Sequence, residues 1–343
     1  VMAPMGQYSA TDGLVSDWHL VHYGSRATGG IGLIIAEMTA ISETGRITEG
    51  CAGIYNAEQL NQWKKITDFI HNNTETKIGI QLGHSGRKGA TKKPWEGNGP
   101  METPWNLISA SPIPFNENFT TPKEMTLEDM EKIKSQFVQA AKNADEAGFD
   151  MIELQAHHGF LLASFLSPLT NIRTDEFGGS IENRLKYPLA IFKAIREVFP
   201  TEKPISVRIS ATDWAENGIS EQEVITIATA FKNAGADIIN VSTGNTVAGQ
   251  KPLTGRMWQT PFSDAVRNAV HIPTITAGYI QDIDQINTIL LNGRADLVAL
   301  GRPLLLDANF VRNAQAYEQF QANDIPNPYK MGISHLYPLK ASE

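Results

Sequence analysis

Eight short apolar runs recur along this chain of 343 residues, and a stretch with helical character follows each of them. Most of the runs are nearly continuous in Val, Ile, Leu and Met, which is typical of parallel strands covered on both faces. The predicted strands are 1–5, 32–38, 77–83, 150–156, 204–210, 237–243, 273–278 and 296–301. Eight such units predict an α/β fold, a (β/α)8 TIM barrel forming one domain over residues 1–343. Functional residues are therefore expected at the C-terminal ends of the strands.

Helix boundaries and connecting segments support this repeat. Thr126 with Asp129, and Ser220 with Glu223, have the spacing of a capping box at a helix start. A similar short segment leads into three of the strands and ends in Asp150, Asp237 and Asp296. We predict extended loops after strands three and four, over residues 84–122 and 161–184. The first is long and rich in Gly, Pro, Asn and Trp, and we expect it to lie over the barrel mouth.

Composition and charge exclude several classes of function. The net charge is −8 and the pI is about 5.6, which argues against nucleic-acid or anionic-membrane partners. Cys51 is the only cysteine, so the chain has no internal disulfide or cysteine metal cluster. No apolar run reaches the roughly 20 residues of a membrane span. We expect a cytoplasmic protein, and because Val1 lies within the predicted first strand, we expect a segment upstream of it.

Polar residues inside the apolar strands are the first candidates for function, because burying them unpaired costs several kcal/mol. Gln81, Glu153 and Arg208 are the clearest of these. One interpretation is a structural ion pair between Arg208 and Glu153. The other is that Arg208 and Gln81 face a bound, electron-rich cofactor, which suits a planar guanidinium that stays protonated.

Glycine-bearing turns follow the last two strands. Gly278 follows strand seven, and Gly301 with Arg302 follows strand eight. Glycine lets the backbone approach a phosphate closely, and the N–H groups of a helix start can receive it. The position of the turns predicts a phosphate site, and ordinary left-handed turns are the alternative.

Gln155 and the adjacent His157 and His158 follow strand four, where either a structural or a functional role is open. Metal binding is disfavoured, because no matching carboxylate–histidine set accompanies them. We therefore predict no metal site.

Several motifs resemble the Old Yellow Enzyme family of FMN-dependent NAD(P)H oxidoreductases. They are VMAPM (1–5), QLGHSGR (81–87), FGGSIENR (177–184) and LGR (300–302). WHLVHY (18–23) and GRIT (45–48) resemble its bacterial, thermophilic-like branch. The resemblance spans essentially the whole chain in order. It implies one non-covalent FMN at the barrel mouth, with NADPH or NADH as the reductant and a small-molecule acceptor such as an activated alkene.

The resemblance also implies roles for individual residues. Those lining the flavin would be Ala3, Pro4, Met5, Gly6 and Met38. Gln81 and Arg208 would meet the polar edge of its ring, where Arg208 stabilises the reduced flavin. Gly278, Gly301 and Arg302 would hold the phosphate. The catalytic set facing the acceptor would be Gln155, His158 and Tyr8.

This chain departs from the family pattern at three positions. Gly6 stands where the branch has a cysteine, Gln155 where it has the first of two carbonyl-binding residues, and Phe160 where it has a proton-donating tyrosine. We predict an intact flavin site with an altered acceptor site.

Other functions stay open at this point. RISATDW (208–214) and GRMWQTPF (255–262) resemble the reductase half of aryl-CoA hydroxylase–reductase fusions. The alternatives are an aryl-CoA acceptor, an NAD(P)H oxidase, a non-redox phosphate-binding enzyme and a flavin-binding module without turnover. We expect a homo-oligomer or a domain of a larger fusion. Residues 336–343 lack the arginine-and-aromatic tail with which this branch reaches a neighbouring subunit's site.

Overall fold

The computed structural model describes residues 1–317 and 325–331, and the tail 336–343 lies outside them. A parallel sheet of seven strands forms the centre of the fold. Its strands are β1 (Leu33–Ala40), β2 (Lys77–Gly83), β5 (Met151–Ala156), β6 (Ile205–Ser210), β7 (Ile238–Ser242), β8 (Thr274–Thr276) and β9 (Leu297–Val298). A separate pair of two-residue strands is β3 (Ile108–Ser109) and β4 (Lys123–Glu124).

Helices alternate with the strands, as the repeat predicts. They are α1 (Asp17–Thr28), α2 (Ala57–Asn73), α3 (Leu127–Glu146), α4 (Leu161–Leu166), α5 (Ile181–Val198), α6 (Glu221–Asn233), α7 (Thr260–Val270), α8 (Ile283–Leu291), α9 (Arg302–Leu306) and α10 (Phe310–Tyr317). Thr126 and Ser220 cap α3 and α6 with the predicted capping boxes. No helix in the described ranges is long and apolar enough to cross a membrane.

The strand order β1-β2-β5-β6-β7-β8-β9 follows the chain, so every connection joins neighbours. The predicted first strand, 1–5, is not a regular strand. Only Met2 pairs there, in parallel bridges to Ile34 in β1 and to Leu300 beyond β9. A regular ladder is interrupted because Pro4 has no N–H to donate. The segment nevertheless lies between the first and last strands of the sheet.

The buried apolar side chains of the described residues form two separate clusters. The larger lies between the sheet and the helices, and includes Trp63 of α2 and Phe137 of α3, both fully buried. The smaller joins the N-terminal segment to the neighbouring strands and consists of Ala3, Ile35, Ile275, Ala277 and Ala299.

Both predicted loops contain structure that holds them in place. Arg87 is 1% exposed and donates to the carbonyl oxygens of Ile113, Pro114 and Thr246, which ties the long segment after β2 to the segment after β7. The prediction of a polar loop over 161–184 is wrong at both ends. Residues 161–166 form the fully buried helix α4, and α5 begins at Ile181. The reason is that four of the six residues of α4 are Leu or Phe, and they pack into the core.

The repeated aspartates have a structural role at the beginnings of the strands. Asp150, Asp237 and Asp296 accept a hydrogen bond from the N–H of Ile78, Ile205 and Thr274, at 2.8, 2.8 and 2.9 Å respectively. Each aspartate N–H donates in turn to the carbonyl oxygen of the same partner. The repeat therefore fixes the register of neighbouring strands at three places in the sheet.

We predict that Asp296→Ala lowers the free energy of unfolding by about 1–2 kcal/mol. This is the low end of the range for a charge-assisted hydrogen bond, because the carboxylate is partly exposed to water. The hydrogen bond from Arg267 lowers the pKa of Asp296. The stability contributed by the Asp296 carboxylate is therefore present above the pKa it has in the unfolded chain. It is lost as the pH falls through the lower pKa it has in the folded protein. Urea unfolding at pH 7 and pH 3 measures this. Asp68→Ala, which removes an exposed pair with Lys64, is the control, and an equal loss there would contradict the assignment.

Candidate active site

A buried carboxylate organises the polar centre of the sheet. Glu153 of β5 is fully buried and accepts hydrogen bonds from Gln81 Nε2 at 2.7 Å, Asn240 Nδ2 at 2.7 Å and Ser206 Oγ at 3.2 Å. These partners belong to β2, β7 and β6. Since neutral groups provide these hydrogen bonds, Glu153 fixes Gln81 in position without a bonded cation.

Arg208 lies beside this carboxylate but does not pair with it. It occupies β6 between Gln155 of β5 and Asn240 of β7 in the strand register. No ion pair or hydrogen bond involves its guanidinium within the described residues, and its Nε is buried without a partner. Burial lowers the pKa of Arg208, and the charge of Glu153 opposes this shift. The structural ion pair considered from the sequence is therefore not formed.

Gln155, His157 and His158 lie next to Arg208 where β5 ends. Gln155 Nε2 donates to Gln81 Oε1 at 3.2 Å, which leaves the buried Gln155 Oε1 without a partner. His158 Nε2 lies 2.7 Å from Ser242 Oγ, and His157 Nδ1 is buried and unpartnered. Burial is the largest cause that lowers the pKa of both histidines, and Arg208 adds to it. Both imidazoles are therefore neutral at pH 7.

The N-terminal segment reaches the same end of the sheet. Ala3 donates its N–H to Leu300 O at 2.9 Å, and Met5 Sδ lies 3.4 Å from where a Cβ on Gly301 would stand. A Cβ on Gly6 would lie 2.9 Å from Cζ of Tyr8. The Tyr8 ring thus fills the space beside Gly6, and a larger residue there requires Tyr8 to move.

A second buried carboxylate anchors this segment. Glu37, adjacent to the buried Met38 in β1, accepts hydrogen bonds from Gln7 N at 2.9 Å and Tyr23 Oη at 3.1 Å. His19 Nε2 lies 3.4 Å from it. Burial raises the pKa of Glu37 to about 7. The carboxyl group therefore holds the backbone directly before Tyr8.

The two glycine turns come together with Arg302. Gly278 has φ +102°, and a Cβ there would lie 2.8 Å from Gln259 Cγ. The exposed guanidinium of Arg302 lies 4.7 Å from the ring centre of Tyr279, beside Gly278. No helix begins directly after the first turn, because α8 starts at Ile283, and α9 has only five residues. The predicted phosphate contacts therefore depend on the turns and Arg302 rather than on helix starts.

This set of groups fits FMN. The unpartnered buried Arg208 Nε and Gln155 Oε1 are polar atoms that an electron-rich ring with N–H and C=O groups can satisfy. Gly278 and Gly301 add no side chain to the turns beside the exposed guanidinium of Arg302, which suits a phosphate.

Sequence patterns did not identify all residues of this site. Glu153 was recognised only as an ion-pair partner, although its position in an apolar strand was the signal. Glu37 and Asn240 gave the same signal, as polar residues in predicted apolar strands, but were not singled out. Ser242 was not singled out either, since its role arises from a contact with His158 of a distant segment.

Known proteins resemble this chain over nearly all of its length. The model of the NADH:flavin oxidoreductase / NADH oxidase family matches residues 1–320. An NADPH dehydrogenase of Clostridium acetobutylicum is 40% identical over 97% of this chain and 95% of its own length. An NADPH dehydrogenase of Listeria monocytogenes is 42% identical over 92% of this chain and 89% of its own.

Solved structures resemble it as well. A 2-naphthoyl-CoA reductase in complex with 2-naphthoyl-CoA has a TM-score of 0.83 and 25% identity, and covers 93% of this chain. The match spans 49% of that reductase, about half its length. Morphinone reductase in complex with tetrahydroNAD has a TM-score of 0.76 and 26% identity, over 94% of this chain and 88% of its own.

We predict that Arg208→Met leaves the free energy of unfolding of the flavin-free protein unchanged or higher, because it removes a buried charge without a bonded partner. Glu153→Leu should lower it by at least about 3 kcal/mol, since three buried donors lose their acceptor. Urea unfolding of both variants is the measurement. An Arg208→Met variant as unstable as Glu153→Leu would show that Arg208 is structural.

Proposed function

The chain belongs to the NADH:flavin oxidoreductase / NADH oxidase family, the family of Old Yellow Enzyme, and we propose that it uses NADPH to reduce electron-poor alkenes conjugated to a carbonyl group. It is an FMN-dependent oxidoreductase, which excludes the non-redox phosphate-binding enzyme left open by the sequence. The observation that carries the proposed site is the buried Arg208 with its unpartnered Nε beside the Gln81–Gln155 pair.

The residues of this chain would hold FMN at the C-terminal ends of the strands. Arg208 and Gln81 would contact the polar edge of the ring, and Arg208 would stabilise negative charge there. Gly278, Gly301 and Arg302 would hold the phosphate. The residues against the remaining ring edge would be Ala3, Pro4, Met5, Gly6 and Met38. We also propose that the segment 1–5 closes the sheet into an eight-membered barrel through Met2, which bridges both ends of the sheet.

Bound FMN would supply two-electron hydride chemistry between NADPH and the acceptor. The side chains facing the acceptor would bind and polarise its carbonyl oxygen. His158, tethered to Ser242, would donate a hydrogen bond from its neutral ring, and Gln155 would donate through its amide. Tyr8, whose backbone position depends on Glu37, would line the acceptor side of the site.

An aryl-CoA thioester is the second candidate acceptor. The observation that favours it is the TM-score of 0.83 with the 2-naphthoyl-CoA reductase, against 0.76 with morphinone reductase. Steady-state turnover with 2-naphthoyl-CoA, compared with 2-cyclohexenone, distinguishes the two acceptors.

We predict that Arg302→Ala raises the Kd for FMN about 10- to 100-fold, because a charge-assisted phosphate contact contributes about 1.5–3 kcal/mol. The measurement is fluorescence titration of flavin-free protein. Arg294→Ala is the matched control, since Arg294 precedes β9, pairs with Asp264 and lies at the opposite end of the strand. An unchanged Kd in Arg302→Ala would exclude the phosphate assignment.

We predict that NADPH reduces the flavin of the reconstituted protein faster than 2-cyclohexenone reoxidises it. The physical reason is that an amide N–H is a weaker hydrogen-bond donor than an imidazole N–H, so Gln155 polarises a carbonyl weakly. Gln155→His should therefore accelerate reoxidation while leaving reduction by NADPH unchanged. Anaerobic stopped-flow spectroscopy measures both steps separately. A protein that releases no flavin after reconstitution with FMN would refute the proposed function.

A further inference from the structure

Lys88 lies where the ends of two strands meet the long segment after β2. Its Nζ donates to the carbonyl oxygen of His158 at 2.8 Å and to that of Asn245 at 2.9 Å. These carbonyls follow β5 and β7, so the ammonium group lies at the same end of the sheet as Gln155 and Arg208. Two of its three N–H bonds are used, and the third has no acceptor among the described residues.

The surroundings of this ammonium group are apolar or cationic. Nζ lies 4.5 Å from the ring centre of Phe115 and 4.9 Å from that of Phe160. No carboxylate in the described chain forms an ion pair with it. The titratable and charged groups that face it are Arg87, His157 and His158. Burial, and then the charge of Arg87, lower the pKa of Lys88 to about 7.

We propose that Lys88 is the proton donor to the acceptor, in place of the phenol that Phe160 lacks. The inference rests on the proposed function. The acceptor's β-carbon gains a hydride, and with it two electrons, from NADPH by way of the flavin. The α-carbon then gains the proton: one N–H bond of Lys88 breaks, a C–H bond forms, and the resulting amine recovers a proton from water. NADPH is oxidised and the alkene is reduced, so atoms and electrons balance.

Other acids near the site are less suited to this step. His157 and His158 have lowered pKa values, so they hold no extra proton at pH 7. Burial raises the pKa of Tyr8 to about 12, which makes its phenol a weaker acid, and its ring packs against Gly6. Lys88 combines an acidity near neutral pH with an unused N–H bond. A donor is most effective when its pKa lies close to the working pH.

The activity test uses anaerobic stopped flow on the FMN-loaded protein and follows reduction by NADPH and reoxidation by the acceptor separately. The pH is varied from about 5.5 to about 9, so that it spans the pKa of Lys88 at about 7. Reoxidation by 2-cyclohexenone should fall about tenfold per pH unit above about 7, because only the ammonium form donates. Lys88→Met should reoxidise about 10²-fold more slowly without this pH dependence, with reduction by NADPH intact. Lys88→Arg keeps the charge but does not release a proton, so it should be equally slow. Lys92→Met, in the same segment and exposed, should behave as the native protein.

Rescue distinguishes a proton donor from a structural residue. Adding Phe160→Tyr to Lys88→Met should restore reoxidation at least tenfold, because a phenol then stands beside the lost amine. Independently of activity, competitive labelling with acetic anhydride and mass spectrometry measures the acidity of individual lysines. Lys88 should titrate near pH 7, well below the value of about 10.4 for an ordinary lysine.

The outcomes separate this inference from the function on which it rests. If NADPH does not reduce the native flavoprotein, the proposed function fails and the role of Lys88 fails with it. If reduction is intact but Lys88→Met reoxidises at the native rate, or Lys88 titrates near the ordinary lysine value of about 10.4, the inference alone is overturned.

Discussion

The hydrogen bonding of Glu153 is the constraint on which the candidate site depends. Its carboxylate is buried at the centre of the sheet and joins three other strands through Gln81, Ser206 and Asn240. Because neutral donors provide those bonds, the neighbouring Arg208 keeps its guanidinium without a bonded partner. A buried cation of this kind is costly for the protein alone and is compensated when an electron-rich group binds beside it. The same carboxylate thus stabilises the sheet and leaves the Arg208 guanidinium unpaired among the described residues.

The scaffold around this site is fixed at the opposite end of the strands. Asp150, Asp237 and Asp296 each form two hydrogen bonds with the first residues of a neighbouring strand. The beginnings of three pairs of neighbouring strands are therefore held in register, and the candidate site lies at the opposite ends of the strands. In α/β barrels, catalytic residues typically lie at the C-terminal ends of the strands, and residues that stabilise the fold lie at the N-terminal ends.

Phe160, which stands where the family pattern has a tyrosine, lies beside a charged side chain of another segment, Lys88. The ammonium group of Lys88 lies 4.9 Å from the ring centre of Phe160 and 4.5 Å from that of Phe115 in the long segment. Both rings remove water from the amine, and Arg87 adds a like charge. Desolvation is thus the means by which an ordinary lysine becomes an acid near neutral pH. Gly6 and Tyr8 show a similar coupling, since the tyrosine ring fills the space that a side chain at position 6 would need.

The order of the elements, the helix caps and the family were determined by the sequence, because apolar periodicity, capping residues and contiguous motifs are local properties. The buried helix α4 was missed because its polar flanks resemble a loop, and the segment 1–5 was overpredicted because a short apolar run does not show how many of its residues pair. Tertiary structure alone decided that Arg208 is not paired with Glu153, that Lys88 meets Phe160, and that Glu37 holds the backbone before Tyr8. These contacts join residues far apart in the chain. The pKa values of these side chains depend on burial, and burial arises only once the chain has folded.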